Sequence, residues 1–470
     1  MLYRKVKQES LFIVKDSASN FCLTLDPLFN FEAGRDFADG SGEKLYKNTR
    51  GFLVRGHIGE KFVFETSFNE NQSTFAGYID QYITSTDKLF SPFTTYSYGV
   101  IPGQGRSKQF KTNGYDYAMA SGYISYSPNR FLNVQVGHGK HMVGDGYRSL
   151  LLSDNAFNYP YARITTTFKN FQYTNLYTSL MNLTNGGNKT PPGIERLFQK
   201  KIGSFQLLSA SFFNWLNVGL FQGMIWEAAD STNRQHMNFN TFDPVIGINS
   251  LSYGLHNKNN VLLGATLKVR IASSIFLYGQ YLMDDFTFIP KDLENKYGYQ
   301  VGFKYADAFT LKNLTLQGEY NSVRPYTYAA KNPEQSYSHY NQALAHPLGA
   351  NFNETIGILN YRIKDFFTEM KLNYAVKGKD SVLTNFGGNI FYSDNWATIP
   401  FAADIKTTRG VLTTIWYQDV HIGYLINPVT HLNLVIGLSN RMETAKGQTA
   451  NTQFVYIGLR TSLANFYYDF

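Results

Sequence analysis

The residues best equipped for chemistry crowd into one glycine-punctuated stretch, Gly137–Pro160. It carries His138, Lys140, His141, Asp145, Arg148, Ser149, Ser153 and Asp154. Ser149 with His141 and Asp145 caricatures a hydrolytic triad, and two histidines beside two aspartates suggest metal ligands. Neither pattern holds. His138 and His141 stand three apart across a Gly-Lys turn rather than on one helix face, so no common zinc geometry is signalled. A triad is recognised by geometry, not by co-occurrence within a short stretch. Gly-His-Gly-Lys lacks phosphate-loop spacing and a βαβ context. We therefore expect no catalytic residue, no metal and no cofactor. The expectation instead is a hydrogen-bonded network in which His138, Lys140, Asp145, Arg148, Ser153 and Asp154 pin a plug segment to a wall. Four glycines and the Ser-Leu-Leu-Leu-Ser run predict a tight turn leading into one or two helical turns.

A second set of candidates lies downstream: Arg324, Tyr326, Tyr328, Tyr337, His339, Tyr340, Asn341 and Gln342. Sugars present CH patches beside hydroxyls, so flat aromatic faces beside amides and hydroxyls suit them, and Arg324 would suit an acidic polysaccharide. The same residues would also serve as an interfacial aromatic girdle.

The elements that must position these groups are strands. Asn133–His138 alternates apolar and polar residues before the polar stretch, and Ala162–Phe168 resumes the rhythm after it. Val261, Leu263, Ala265, Leu267 and Val269 share one face, opposite Gly264, Thr266, Lys268 and Arg270. Met370, Leu372 and Tyr374 oppose Glu369, Lys371 and Asn373. Such runs persist for 10 to 12 residues, beyond the ~5–6 usual in globular sheets. A charged side chain facing mid-bilayer lipid costs about 2–4 kcal/mol, so the polar face must line a wet lumen. Gly59-Glu60 marks a hairpin turn, and a strand break is expected between Tyr173 and Thr174. Short turns alternate with long loops at 71–113, 226–259 and 379–410. The fold class expected is all-β: a transmembrane antiparallel barrel of about eighteen strands, with a short helical plug and long extracellular loops. Residues 1–18 form an N-terminal extension and 19–470 a single barrel, with loop or plug insertions at 71–113 and 140–160. Alternate aromatics at Phe466, Tyr468 and Phe470 look like the terminal signal that bacterial outer-membrane barrels present to their assembly machinery.

Composition agrees. Of 470 residues, 34 are Tyr and 38 Phe, while only 17% are charged. No run approaches the roughly 18 apolar residues of a membrane-spanning helix. Leu11–Val14 is too short for the core of a secretion signal, so a leader was removed or there is none. Cys22, the only cysteine, excludes an intramolecular disulfide. The net charge of +8 is scattered singly along strands, which argues against nucleic acid.

Six segments carry a resemblance: Pro102–Arg106, Gly137–Pro160, Asn259–Gly264, Tyr281–Phe286, Glu319–Tyr328 and Tyr337–Gly349. Together they resemble the Wzi-like capsule-assembly outer-membrane proteins, in the branch that includes the gliding-motility protein RemB, over residues 50–470. The resemblance implies an 18-strand barrel in the outer membrane of a Gram-negative bacterium, with a periplasmic-side helical plug. It implies outer-membrane lipid and surface polysaccharide as partners, held in a lectin-like manner without catalysis. For the RemB branch it implies gliding and type IX secretion proteins as partners. A diffusion porin is the alternative.

Overall fold

In the computed structural model the alternating strands become a wall that closes on itself. The structure describes residues 2–88, 99–185, 198–227, 245–246, 260–285, 295–381, 384–394, 406–461 and 466–470. Much of the 226–259 loop and part of 379–410 lie outside the described residues, as do Asn259 and Phe286 of the resembling motifs.

Eighteen strands form the wall: β1 (Phe21–Asp36), β2 (Lys44–Ile58), β3 (Phe62–Ser73), β4 (Gly114–Asn129), β5 (Leu132–Gly139), β6 (Tyr159–Phe168), β7 (Phe171–Asn185), β8 (Phe198–Phe213) and β9 (Leu216–Glu227) make one half. The other half is β10 (Asn260–Arg270), β11 (Ile275–Asp285), β12 (Lys296–Tyr305), β13 (Leu314–Val323), β14 (Phe352–Ile363), β15 (Phe366–Lys379), β16 (Val411–Asn427), β17 (Leu432–Ala445) and β18 (Gln448–Arg460). All neighbours pair antiparallel, and β18 returns to β1 from Asn30↔Arg460 to Asp36↔Phe454. Closure gives every wall strand two partners and leaves no open edge in lipid.

The two faces divide as the alternation requires. On β12, Val301 is 58% exposed on the outside while its neighbour Gln300 is 1% exposed on the inside. Ile436 and Ile457 likewise face out, and Asn321 and Asn373 face in. One rim carries turns such as Gly59–Lys61, Arg130–Phe131 and Lys364–Asp365; the other carries the connections 74–113, 140–158, 324–351 and 380–410.

Three details differ from the sequence reading. The break expected at Tyr173/Thr174 falls at Lys169–Asn170, where Phe168 pairs with Phe171 and Lys169 takes φ 52°. That turn contains neither glycine nor proline, so it left no signal. Within the 1–18 extension, Phe12–Asp16 forms a strand that pairs with Phe21–Leu25 of β1, just beyond the point where β18 ends. The third difference is the chain end. The last strand stops at Arg460, and Phe466–Phe470 are not a strand but lie inside the lumen. The alternate aromatics therefore belong to no wall face.

Candidate functional site

Among the described residues four segments enter the lumen: 140–158, the helix Gly77–Lys88 with its described flanks, 324–351, and residues 466–470. The first was expected to carry helical turns. It carries none, only bends and turns. Several of its backbone groups are satisfied by wall side chains, beside one internal bond from Val143 N–H to the Leu152 carbonyl. Glu319 of β13 accepts from the N–H of Tyr147 (2.7 Å) and Arg148 (3.1 Å). Gln280 of β11 accepts from Leu150 N–H at 2.8 Å, and Gln300 of β12 donates to the Arg148 carbonyl at 3.0 Å. Leu150, Leu151 and Leu152 are all fully buried, so no face of this run is left for water and a one-sided helix would gain nothing. The helical part of the plug is Gly77–Lys88 within the 71–113 insertion, and both segments enter from the long-loop rim, not from the short-turn rim.

Arg148 is the centre of the arrangement. Its guanidinium, 1% exposed, lies 3.3 Å from Glu354 Oε1 on β14 and 3.0 Å from Asp469 Oδ1, and donates to the Asp469 carbonyl at 3.0 Å. The rings of Tyr147 and Tyr467 flank it at 4.9 and 5.1 Å. Burial works against its charge, but Asp469 and Glu354 hold it protonated. Burial alone would raise the Asp469 carboxyl; Arg148 and Lys371 pull it well below the usual range. Tyr147 donates to Asp469 Oδ2 at 2.8 Å, and Asn373 donates to both Glu354 (2.8 Å) and the Asp469 carbonyl (2.8 Å). His346 completes the cluster, with Nε2 2.6 Å from Glu354 and Nδ1 accepting from Leu348 N–H at 3.1 Å.

The other residues of the expected network are placed as follows. Asp145 pairs with Lys268 of β10 at 2.6 Å, both partly exposed. Asp154 accepts from Tyr467 OH at 2.7 Å. Ser153 N–H donates to the Leu344 carbonyl at 2.8 Å. Lys140 donates to the Gly103 carbonyl at 2.5 Å, and burial pushes its ammonium down to about 8. His138 stays on the wall, its Nδ1 3.0 Å from the Ala120 carbonyl. Ser149 donates to the Val143 carbonyl at 2.6 Å and accepts from the N–H groups of Leu151 and Leu152. Among the described residues no cluster of three or more His, Cys, Asp or Glu has a metal-holding arrangement.

The second candidate set is mostly interior. Tyr326, Tyr328, His339, Asn341 and Gln342 are each at most 4% exposed. They fasten the 324–351 loop: Tyr328 OH donates to the Leu150 carbonyl (2.7 Å), Tyr326 OH to Asn385 (2.8 Å), and Gln342 accepts from Gly103 N–H (2.6 Å). Asn341 accepts from Leu183 N–H at 3.2 Å. Aromatic and amide content had suggested an exposed surface, but these groups meet plug and wall instead. Only Arg324, over the Tyr297 ring, and Tyr340, beside Phe157, are half-buried.

His339 gives a pH prediction. Its Nδ1 accepts from Met181 N–H (3.0 Å) and its Nε2 meets the Asn158 carbonyl (3.1 Å), which fixes a neutral ring. Burial lowers it from 6.5 to about 3. The unfolded chain therefore binds this proton first as pH falls. The contribution to stability is complete above about pH 6.5 and is lost as pH drops toward 3, by about 1.4 kcal/mol per unit. Acidification to pH 4.5 should lower the melting temperature, and His339→Gln should flatten part of that slope. An identical pH profile in the variant would contradict the assignment.

Glu319, Glu354 and Gln280 of the wall, and Asp469 of the 466–470 segment, were not singled out from sequence. Their inward facing was readable for the strand residues, but nothing marked which plug group each would meet.

This geometry defines a class: a closed, plugged barrel of the outer-membrane type. The solved structure of Wzi from Escherichia coli, an outer-membrane protein involved in group 1 capsule assembly and described as a carbohydrate-binding β-barrel, is similar in fold. It is 14% identical with a TM-score of 0.54, over 93% of this chain and 85% of that one. OccK1 of Pseudomonas aeruginosa aligns at 9% identity and a TM-score of 0.47 over 93% and 98% of the two chains. OprD of the same organism aligns at 10% and 0.46 over 98% of each. No protein-family model matches the chain, and no curated protein matches it.

Proposed function

We propose that the chain is a non-catalytic barrel of the Gram-negative outer membrane that holds surface polysaccharide at its long-loop rim. The observation that supports this reading is the plug. Segments from that rim enter the lumen and are tied to the wall through Arg148, Glu319, Glu354 and Asp469, which favours a plugged barrel over a diffusion path. The likeness in fold to a carbohydrate-binding barrel points the same way. In this reading Tyr326, Tyr328, His339, Asn341 and Gln342 hold the loop in shape. Arg324 and Tyr340, not fully buried, are the members of the set left to contact sugar.

Liposomes carrying the purified chain should swell in a small sugar no faster than protein-free liposomes; porin-like swelling would overturn the plugged reading. Purified protein should be retained by capsule preparations from its own host, and deletion of the gene should shed polysaccharide from cells. No retention, with polysaccharide intact and gliding lost, would instead assign the chain to the gliding and type IX secretion partners.

A further inference from the structure

Between plug and wall the lumen stays open as a cavity of about 840 Å³, lined from Tyr46 and Thr74 near the long-loop rim to His431 and Arg460 near the short-turn rim. It meets a second cavity of about 310 Å³ across four shared residues, Glu369, His421, Asn433 and Arg460. The size falls within the ~300–1,000 Å³ of small-ligand sites.

The strand register explains why a recess forms here. Glu369, His421, Gly437, Tyr456 and Gly34 stand in one row across β15, β16, β17, β18 and β1. The adjoining row is Phe367, Gly423, Val435, Gly458 and Glu32. Glycines in these rows remove side chains from the inner face, and aromatic rings fold flat into the space. A Cβ at Gly437 would lie 2.4 Å from Tyr456 Cζ, one at Gly423 2.2 Å from Phe367 Cζ, and one at Gly34 2.6 Å from Phe454 Cε2. Phe454 and Tyr456 stack at 5.3 Å. The wall is thus floored with rings lying along it.

The charges around this floor nearly cancel. Lys47 pairs with Glu32 (2.9 Å), Arg55 with Glu65 (2.8 Å), Lys371 with Asp469 (3.4 Å), Arg441 with Glu443 (2.7 Å) and His421 with Asp419 (3.1 Å). Three charged groups remain over, one of them Arg362 at the edge of the smaller cavity, which donates to the Lys364 carbonyl (2.9 Å). Among the described residues the Glu369 carboxylate has neither hydrogen bond nor ion pair, though its charge acts on Lys371, and the Arg460 guanidinium touches only Asn433 (3.3 Å) and His421 (3.5 Å). One acceptor and two donor-rich groups, set among paired charges, suit a ligand carrying many hydroxyls. Flat ring faces suit its CH patches.

We propose that this recess is a binding site for a neutral, pyranose-containing oligosaccharide arriving from the short-turn side. Sugar rings would stack on Tyr456 and Phe367, with hydroxyls donating to Glu369 and accepting from Arg460. Phe367, Glu369 and Arg460 sit near the short-turn ends of β15 and β18, apart from Arg324 and Tyr340, so the site does not rest on the reading above. The test uses the full chain in detergent with maltohexaose, cellohexaose and chitohexaose, followed by saturation-transfer NMR and calorimetry. At least one probe should bind saturably, and Glu369→Gln and Tyr456→Leu should each weaken it about tenfold. Lys268→Gln, on the distant β10, should leave it unchanged. Heat-modifiable migration on gels reports folding of each variant, and Glu369→Gln, which removes no packing, carries the test if Tyr456→Leu does not fold. Absence of saturable binding for all three probes, or full affinity in Glu369→Gln, overturns the proposal.

Discussion

Arg148→Met should convert a silent barrel into a conducting one. The substitution keeps most of the side-chain volume between Tyr147 and Tyr467 but removes the charge that joins Glu354 to Asp469. Both carboxylates are at most 1% exposed. Removing one partner of a buried cluster leaves uncompensated charge and costs about 3–5 kcal/mol. Lys371 and His346 cannot make up the loss, because each already serves one of the two carboxylates from its other side. The wall's own ladders are untouched, so the lost free energy falls on the plug, which should leave the lumen before the barrel unfolds. Conductance in planar bilayers should rise from baseline to clear steps. Asp145→Ala provides the contrast. Its pair with Lys268 is more than a third exposed on the lysine side, and such pairs contribute about 0–1 kcal/mol. The double variant should therefore behave like Arg148→Met alone. A silent Arg148→Met barrel with unchanged stability would remove Arg148 from the centre of the plug.

The wall was legible in the sequence because each strand states its own two faces. Lys268 and Lys371 could face only water, and the structure puts them against Asp145 and Asp469. The plug was legible only as a polar interruption. Arg148 meets Glu354 and Asp469 across 206 and 321 residues of chain, and no local pattern encodes such a pairing. Leu150–Leu152 suggested helix because an apolar run beside a serine usually nucleates one; here wall glutamines and Glu319 offered the backbone better partners. Tyr326, Tyr328 and Gln342 suggested an exposed sugar face because composition reports chemistry but not depth. Buried, the same hydroxyls and amides became fasteners for the loop.

Removing residues 466–470 should open the lumen at least as widely while leaving an inserted barrel. These residues bridge the helix Gly77–Lys88 to the 140–158 segment, beside the one bond already made between Lys140 and the Gly103 carbonyl on the helix's flank. Tyr78 of the helix donates to the Tyr468 carbonyl at 2.7 Å, and Phe470 packs on Tyr82 at 4.9 Å and on Tyr78 at 6.2 Å. On the other side Tyr467 donates to Asp154 and Asp469 holds Arg148. The truncated chain should show steady conductance and a protease-sensitive helix at Gly77–Lys88. It should still migrate as a heat-modifiable barrel, since β18 closes on β1 without these residues and presents Val455 and Ile457 outward by itself. The alternation of Phe466, Tyr468 and Phe470, read as an assembly signal, demands the opposite result: no barrel in the membrane at all. Asp469→Asn separates the two ideas more finely. It keeps every aromatic ring but leaves Arg148 with Glu354 as its one carboxylate, so assembly should be normal and the lumen leaky. Failed assembly in the truncation together with a silent Asp469→Asn barrel would make the tail a recognition element and not a latch.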